Sequence, residues 1–288
     1  MAKSRKPLKK AAKKRVTKRK TNVNNTGGET NNREGAGAQR TAPQRMTGGI
    51  SKQPTRTWKK AEKALGEADT RMMDERVKTA RGRKISSTLW LRRQLNDPYV
   101  KKARALGYRS RAAFKLIELD AKYDLLKRGS VIVDLGAAPG SWTQIALKAK
   151  PSRIIGIDIL PVEPFPGAEI IEMDFMDDKA PDILMRMLAG DNGMMRADLV
   201  MSDLAANTTG HRNTDHLRTV ALVEAAADFG VQVLKPGGAF ISKVFQGGAE
   251  LNLLNMLNDR FDTVRHAKPK SSRDGSPEMY LVAKGFRG

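Results

Sequence analysis

The chain has 288 residues, no cysteine, three histidines and a formal charge of +22, with a pI of about 10.3. Disulfides and thiolate metal sites are excluded, His211, His216 and His266 are too scattered for a histidine site, and no metal is expected. The charge suggests a polyanionic partner, most often nucleic acid, and no membrane partner is expected because no apolar run nears the roughly 18 residues of a membrane helix.

The N-terminus lacks an apolar leader, which argues against secretion. Residues 1–20 contain no acid, as in a transit peptide, but their lysine runs and Pro7 make a poor amphipathic helix, so cytoplasm is the expected location. Residues 1–84 hold 25 Lys/Arg and 7 Asp/Glu, residues 85–128 hold 11 and 4, and residues 129–288 hold 17 and 20. Residues 1–57 have few large apolar side chains and should be disordered. Residues 58–80 carry a candidate helix, alone or on a partner. The expected division is therefore a basic extension over 1–84 and a folded domain over 85–288.

From Ser86 the chain changes character. SRAAFKLIELDAKY predicts a helix capped by Ser110, with Ala113, Leu116 and Ile117 on one apolar face. Strand-length apolar runs follow at 130–134, 153–158, 169–173, 197–202 and 238–245. Helical stretches fall between them at 140–149, 180–190, 214–234 and 247–258. Lys235-Pro236-Gly237-Gly238 reads as a helix stop and turn. FDTVRHAK and EMYLVAKG are two further alternating strands. Alternation of strand and helix predicts an α/β fold with a doubly wound, parallel sheet that binds ligands at the carboxyl ends of its strands.

VIVDLGAAPGSW (131–142) runs from a buried strand into a turn almost without side chains, with Pro139 suited to a first helical turn. Its spacing, Gly136-x-x-x-Gly140, is neither the dinucleotide fingerprint nor a phosphate loop. It suits a nucleoside ligand without a pyrophosphate. Asp158 ends the second strand, where a carboxylate can accept from ribose hydroxyls. Asp174 follows the third, placed for an adenine edge. Together these point to S-adenosylmethionine (S-adenosyl-L-methionine).

VDLGAAPGSW, IDILP, MDF, MSDLAAN, ISKVFQG and KPKSSRDGSPEMYLVAKG resemble, in order and approximate spacing, the FtsJ/RrmJ (RlmE) family of ribosomal RNA large-subunit 2′-O-ribose methyltransferases. The resemblance covers about 86–288. It implies a Rossmann-like methyltransferase fold with a seven-stranded, mostly parallel sheet, S-adenosylmethionine as donor, and a uridine ribose in large-subunit ribosomal RNA as acceptor, late in assembly. By motif it implies Gly136, Gly140, Trp142, Asp158, Asp174 and Asp203 as cofactor residues. It implies Lys115, Asp203, Lys243 and Glu278 as the catalytic tetrad. The family reads MSDMAPN where this chain has MSDLAAN, so Ala206 replaces a proline that stiffens the turn.

The residues carry this chemistry in their own right. A ribose 2′-hydroxyl is a very weak acid, and displacement at a sulfonium methyl needs a positioned base more than an acid. A lysine serves as that base where burial or a second cation favours its neutral form. Lys243 ends an otherwise apolar strand, Lys115 would be the second cation, and Asp203 would orient the amine. Blander readings stand beside these. Lys115 shares a helix face with Arg111, Glu118 and Lys122, which reads as solvated; Asp203 as a turn residue; Glu278 as half of a surface ion pair; Trp142 as core. Arg92, Arg93, Lys101, Lys102, Arg104, Arg109 and Arg111, dense beside Trp90, Tyr99 and Tyr108, read as an RNA footprint. The expected protein is a monomeric ribosomal RNA methyltransferase. The alternatives are a non-catalytic RNA-binding assembly factor on the same fold, or a methyltransferase of another RNA, a small molecule or a protein.

Overall fold

The structure, a computed structural model, describes residues 75–78, 82, 84–189, 193, 196–206, 210–245, 251–273 and 275–288, all within the unit Pro54–Gly288. The expected disorder of 1–57 and most of the candidate helix at 58–80 lie outside the described residues. At the end of that stretch, residues 75–78 are not helical.

In chain order the elements are α1 (Ile85–Leu95), α2 (Pro98–Ala105), α3 (Ala112–Tyr123), β1 (Val131–Leu135), α4 (Ser141–Leu147), β2 (Arg153–Asp158), β3 (Glu169–Glu172), α5 (Ala180–Ala189), β4 (Ala197–Ser202), α6 (Arg212–Val233), β5 (Leu234–Phe245), α7 (Leu251–Arg260), β6 (Phe261–Ala267) and β7 (Glu278–Phe286). They build one seven-stranded sheet in the order β3-β2-β1-β4-β5-β7-β6. The first five strands in that order run parallel, and β7 is antiparallel to both β5 and β6. The seven-stranded, mostly parallel sheet that the family resemblance implies is thus the one observed.

The sheet is buried on both faces, which explains the unbroken apolar runs. Val131, Val133 and Leu135 point to one side, where Leu184, Val223 and Leu257 bring in α5, α6 and α7. Ile132 points to the other, with Phe114 and Leu116 of α3 and Trp142 and Ile145 of α4. All five residues of β1 are buried, Asp134 included. β1 pairs with β2 on one side and β4 on the other, so the strand order reverses at its carboxyl end. That is where such sheets open a crevice.

Most expected boundaries fall within a residue or two of the observed ones. The helix expected from Ser110 begins at Ala112, yet the Ser110 hydroxyl still accepts from the Ala112 amide at 3.1 Å. Pro139 stands before α4 rather than in its first turn; Gly140 is the residue at the helix cap. β5 starts four residues earlier than expected. Leu234 pairs with Ala197 and Ala239 with Leu199, so Lys235–Gly238 loops out between two paired positions.

Candidate active site

Two groups of side chains meet at the carboxyl ends of the parallel strands. The first surrounds the turn after β1. Gly136 has φ +80, and a Cβ there would lie 2.8 Å from the backbone nitrogen of Leu204. The bareness of the turn is therefore explained in part by the chain itself: the segment leaving β4 passes against it. Asp158, at the end of β2, accepts from the Ala138 amide and from the Leu160 amide, both at 2.8 Å. Asp174 is exposed and accepts from the Met176 amide at 2.9 Å, closing its own turn.

Beneath this turn lies a carboxyl group that the sequence reading passed over. Asp134 is fully buried, accepts from the Thr143 hydroxyl at 2.6 Å through one oxygen and leaves the other without a partner. Burial raises its pKa to about 7, the charges of Asp203 and Asp158 add to the rise, and the Thr143 hydroxyl opposes it. An acid inside VIVDL was the available signal, because a charge in a strand covered on both faces seldom lacks a task.

The second group spans β4, β5, β7 and α3. Lys243 and Tyr280 are direct partners across β5 and β7, as are Phe245 and Glu278. Lys243 is buried; its ammonium donates to the Asp203 carbonyl at 2.6 Å and lies 3.4 Å from the Asp203 carboxylate. Lys115, from α3, pairs with Glu278 at 2.6 Å, both side chains being mostly covered. Tyr280 joins the two pairs. Its hydroxyl lies 2.8 Å from Asp203 Oδ1 and 3.4 Å from Glu278 Oε1. Burial, and then the charges of Asp203 and Glu278, hold the phenol well above its ordinary pKa, so it remains a donor.

Lys115, Asp203, Lys243 and Glu278 are therefore brought together, with the arrangement modified. Each lysine has its own carboxylate, and Lys115 faces Glu278 rather than serving Lys243 as a bare second cation. Tyr280 was missed from sequence. Its signal was the spacing Glu278-x-Tyr280, which puts both side chains on one face of a strand.

Of the charged stripe along α3, Lys122 is exposed as a solvated residue would be, while Arg111, Lys115 and Glu118 turn into the fold. Arg111 donates to the Ser271 carbonyl and pairs with Asp97, Glu118 accepts from the Ser271 amide at 3.1 Å, and Lys115 reaches Glu278. The stripe clamps the segment between β6 and β7, and Ser272 completes the clamp by donating to Glu278 at 3.2 Å.

Three expected contacts are relocated. Trp142 is buried, donates its indole N–H to the Ala112 carbonyl at 3.0 Å and packs 5.6 Å from the Tyr280 ring, so it serves the core. Arg111 is used inside the fold, as above. Arg109 donates to the carbonyls of Pro139 and Glu163 at 3.1 and 2.8 Å. Both arginines were read as RNA contacts because sequence does not distinguish a clamped guanidinium from a solvated one. Arg92, Arg93 and Arg104 are exposed; Lys101 pairs with Glu75 at 3.1 Å, and Lys102 sits 5.2 Å from the Phe114 ring centroid.

The first group fits a nucleoside. Ile159 and Leu160 follow Asp158, Met176 follows Asp174, and they are 57%, 61% and 49% exposed. Large apolar side chains left open beside two carboxylates at neighbouring strand ends suit a flat base with a ribose. Fold and site together define a Rossmann-like methyltransferase architecture. The FtsJ-like methyltransferase family model matches residues 108–286. The chain is 61% identical over 214 residues to ribosomal RNA large subunit methyltransferase E of Sphingopyxis alaskensis, covering 74% of this chain and 91% of that protein. It is 57% identical over 211 residues to the protein of that name from Granulibacter bethesdensis, covering 73% and 90%. A crystal structure from Plasmodium falciparum, described as a ribosomal RNA methyltransferase, is 36% identical with a TM-score of 0.55, covering 63% of this chain and all of that one. The chain belongs to the FtsJ-like methyltransferase family.

Proposed function

We propose that this protein transfers a methyl group from S-adenosylmethionine to the ribose 2′-hydroxyl of a uridine in large-subunit ribosomal RNA, late in subunit assembly and in the cytoplasm. The observation that carries the reading is the pair of largely covered lysine–carboxylate contacts joined by Tyr280, beside a turn and strand ends that fit a nucleoside. The names of the relatives support ribosomal RNA as the substrate.

In this reading Asp158, with lone pairs still open, accepts from the cofactor's ribose. Asp174 meets the adenine edge, with Ile159, Leu160 and Met176 against the base. S-adenosylmethionine, when bound, would supply a sulfonium methyl that a nucleophilic oxygen can attack, with the neutral thioether S-adenosylhomocysteine as the leaving group. In its neutral amine form Lys243 takes the proton of the attacking 2′-hydroxyl as the oxygen–carbon bond forms and the carbon–sulfur bond breaks. Asp203 fixes the direction of the Lys243 amine through its carbonyl, and Tyr280 holds the Asp203 carboxylate. Lys115 and Glu278 form the far wall, where a ribose and its phosphate would be positioned. The exposed cations of α1 and α2, together with the basic extension, supply phosphate contacts.

The test is transfer of labelled methyl from S-adenosylmethionine to undermethylated large subunits, followed by mapping of the modified nucleotide. Label at one 2′-oxygen of a large-subunit uridine is expected. Label on a base, on protein or on another RNA would overturn the reading.

A further inference from the structure

Arg109 lies between α2 and α3, and its placement starts from the backbone. Its amide donates to the Gln144 side-chain oxygen at 3.1 Å, while the Gln144 nitrogen donates to the Gly107 carbonyl at 2.8 Å. One residue of α4 thus holds the segment at two points, directly over the start of that helix. From there the guanidinium reaches across the bare turn. One terminal nitrogen donates to the Pro139 carbonyl on the turn and to the Glu163 carbonyl on the loop after β2. The other lies 3.5 Å from the Glu163 carboxylate, and the plane sits 3.6 Å from the Phe165 ring centroid.

Gly140 records this arrangement. Beyond its φ of +97, a Cβ at that position would fall 2.5 Å from the Phe165 ring and 2.6 Å from the Arg109 guanidinium. The turn is bare at Gly140 because the Arg109–Phe165 stack rests on it. The loop that begins at Asp158 is therefore tied to the turn at both ends, by Asp158 on the Ala138 amide and by Arg109 with Phe165 over Gly140. An RNA phosphate would have to compete for Arg109 with two carbonyls, a carboxylate and a ring.

We propose that Arg109 is a positioning residue for cofactor binding: it clasps the loop at 159–165 to the turn at 136–140 and so fixes the two walls of the nucleoside pocket. The inference rests on the S-adenosylmethionine reading above. Holding a loop in its bound geometry lowers the ordering cost of binding, so the clasp acts on affinity. A planar, stacked guanidinium is not replaced by an ammonium.

The experiment uses the full chain and four variants, Arg109→Ala, Arg109→Lys, Phe165→Ala and the double Arg109→Ala/Phe165→Ala. S-adenosylmethionine and S-adenosylhomocysteine are titrated by calorimetry. Hydrogen exchange is followed over 159–168, and RNA affinity is measured against salt. Arg109→Ala should weaken both ligands by about tenfold or more, with Arg109→Lys recovering only part. Phe165→Ala should weaken them less, and the double variant should match Arg109→Ala, because the two residues act as one unit. Exchange over 159–168 should rise in each variant, while RNA affinity and its salt slope stay as in the wild type. Cofactor affinity unchanged in Arg109→Ala, or a salt slope lowered by about one, would overturn the proposal. If Arg109→Ala does not fold, Phe165→Ala decides by the same criteria. A wild type that binds neither ligand would overturn the cofactor reading instead, and unchanged loop exchange would then overturn the clasp itself.

Discussion

At the ends of β2 and β3 the carboxylates are held by backbone amides, whereas around the ends of β4, β5 and β7 they are held mainly by side chains. Asp158 accepts from Ala138 and Leu160, and Asp174 from Met176. Asp203 and Glu278, by contrast, are met by Lys243, Lys115, Tyr280 and Ser272. Asp158 and Asp174 flank the candidate nucleoside pocket, so a loss there falls on ligand affinity. A network of side chains depends on every member, and its loss falls on the reaction. The two halves should therefore separate in kinetics.

The largest effect is expected at Lys243. Lys243→Ala should leave cofactor affinity near wild type while kcat falls by about 10²–10⁴, the range for a general base; single-turnover methyl transfer and calorimetry measure the two. A matching fall in cofactor affinity would erase the distinction between the halves.

Next comes the buried acid under the turn. Folded Asp134 keeps its proton up to about pH 7, while unfolded it releases it near the ordinary 3.8. Between these values the folded state binds more protons, so this group's stabilising contribution is full below about pH 4, shrinks as pH rises and levels off above about 7. Asp134→Asn does not titrate and retains an acceptor for Thr143. Urea unfolding should show its stability relative to wild type rising with pH, by up to about 4 kcal/mol between pH 4 and 8. A difference independent of pH would mean that Asp134 is charged in the fold.

Asp158→Ala should weaken S-adenosylmethionine binding by about 1–3 kcal/mol, with single-turnover rate at saturating cofactor much less affected. Calorimetry at wild-type affinity in a folded variant would remove Asp158 from the pocket. Tyr280→Phe, the loss of a single hydroxyl, is expected to be of comparable size. It removes one donor from Asp203, worth about 1.5–3 kcal/mol for a charged acceptor, and should slow turnover with cofactor affinity unchanged. A wild-type rate would reduce Tyr280 to packing.

How much was legible in sequence divides along the same line. The backbone-held half follows from local pattern. VIVDL announces a buried strand, the small residues after it announce a close approach, and RIIGID ends in the acid that braces the turn. The side-chain-held half depends on register between strands about 40 residues apart, with Lys243 opposite Tyr280, and single-sequence pattern does not encode such pairing. Lys115, Glu278 and Asp203 were reached by resemblance; Tyr280 was reached only by geometry. Charges deceived most. Arg111, Lys115 and Glu118 have the spacing of a solvated stripe, yet they grip Ser271 and Glu278. The partner of such a stripe lies about 150 residues away in the chain, at Ser271, so nothing near α3 announces it.

The most direct test of the account is the single-turnover rate of Lys243→Arg with cofactor and RNA both saturating. Arginine keeps the positive charge and the donors toward Asp203 but does not give up a proton near neutral pH. If Lys243 is the base, the rate should fall by about 10²–10⁴, nearly as far as in Lys243→Ala. A variant that retains most of the wild-type rate would show that Lys243 only positions the ribose, and the account of the side-chain-held half would be wrong.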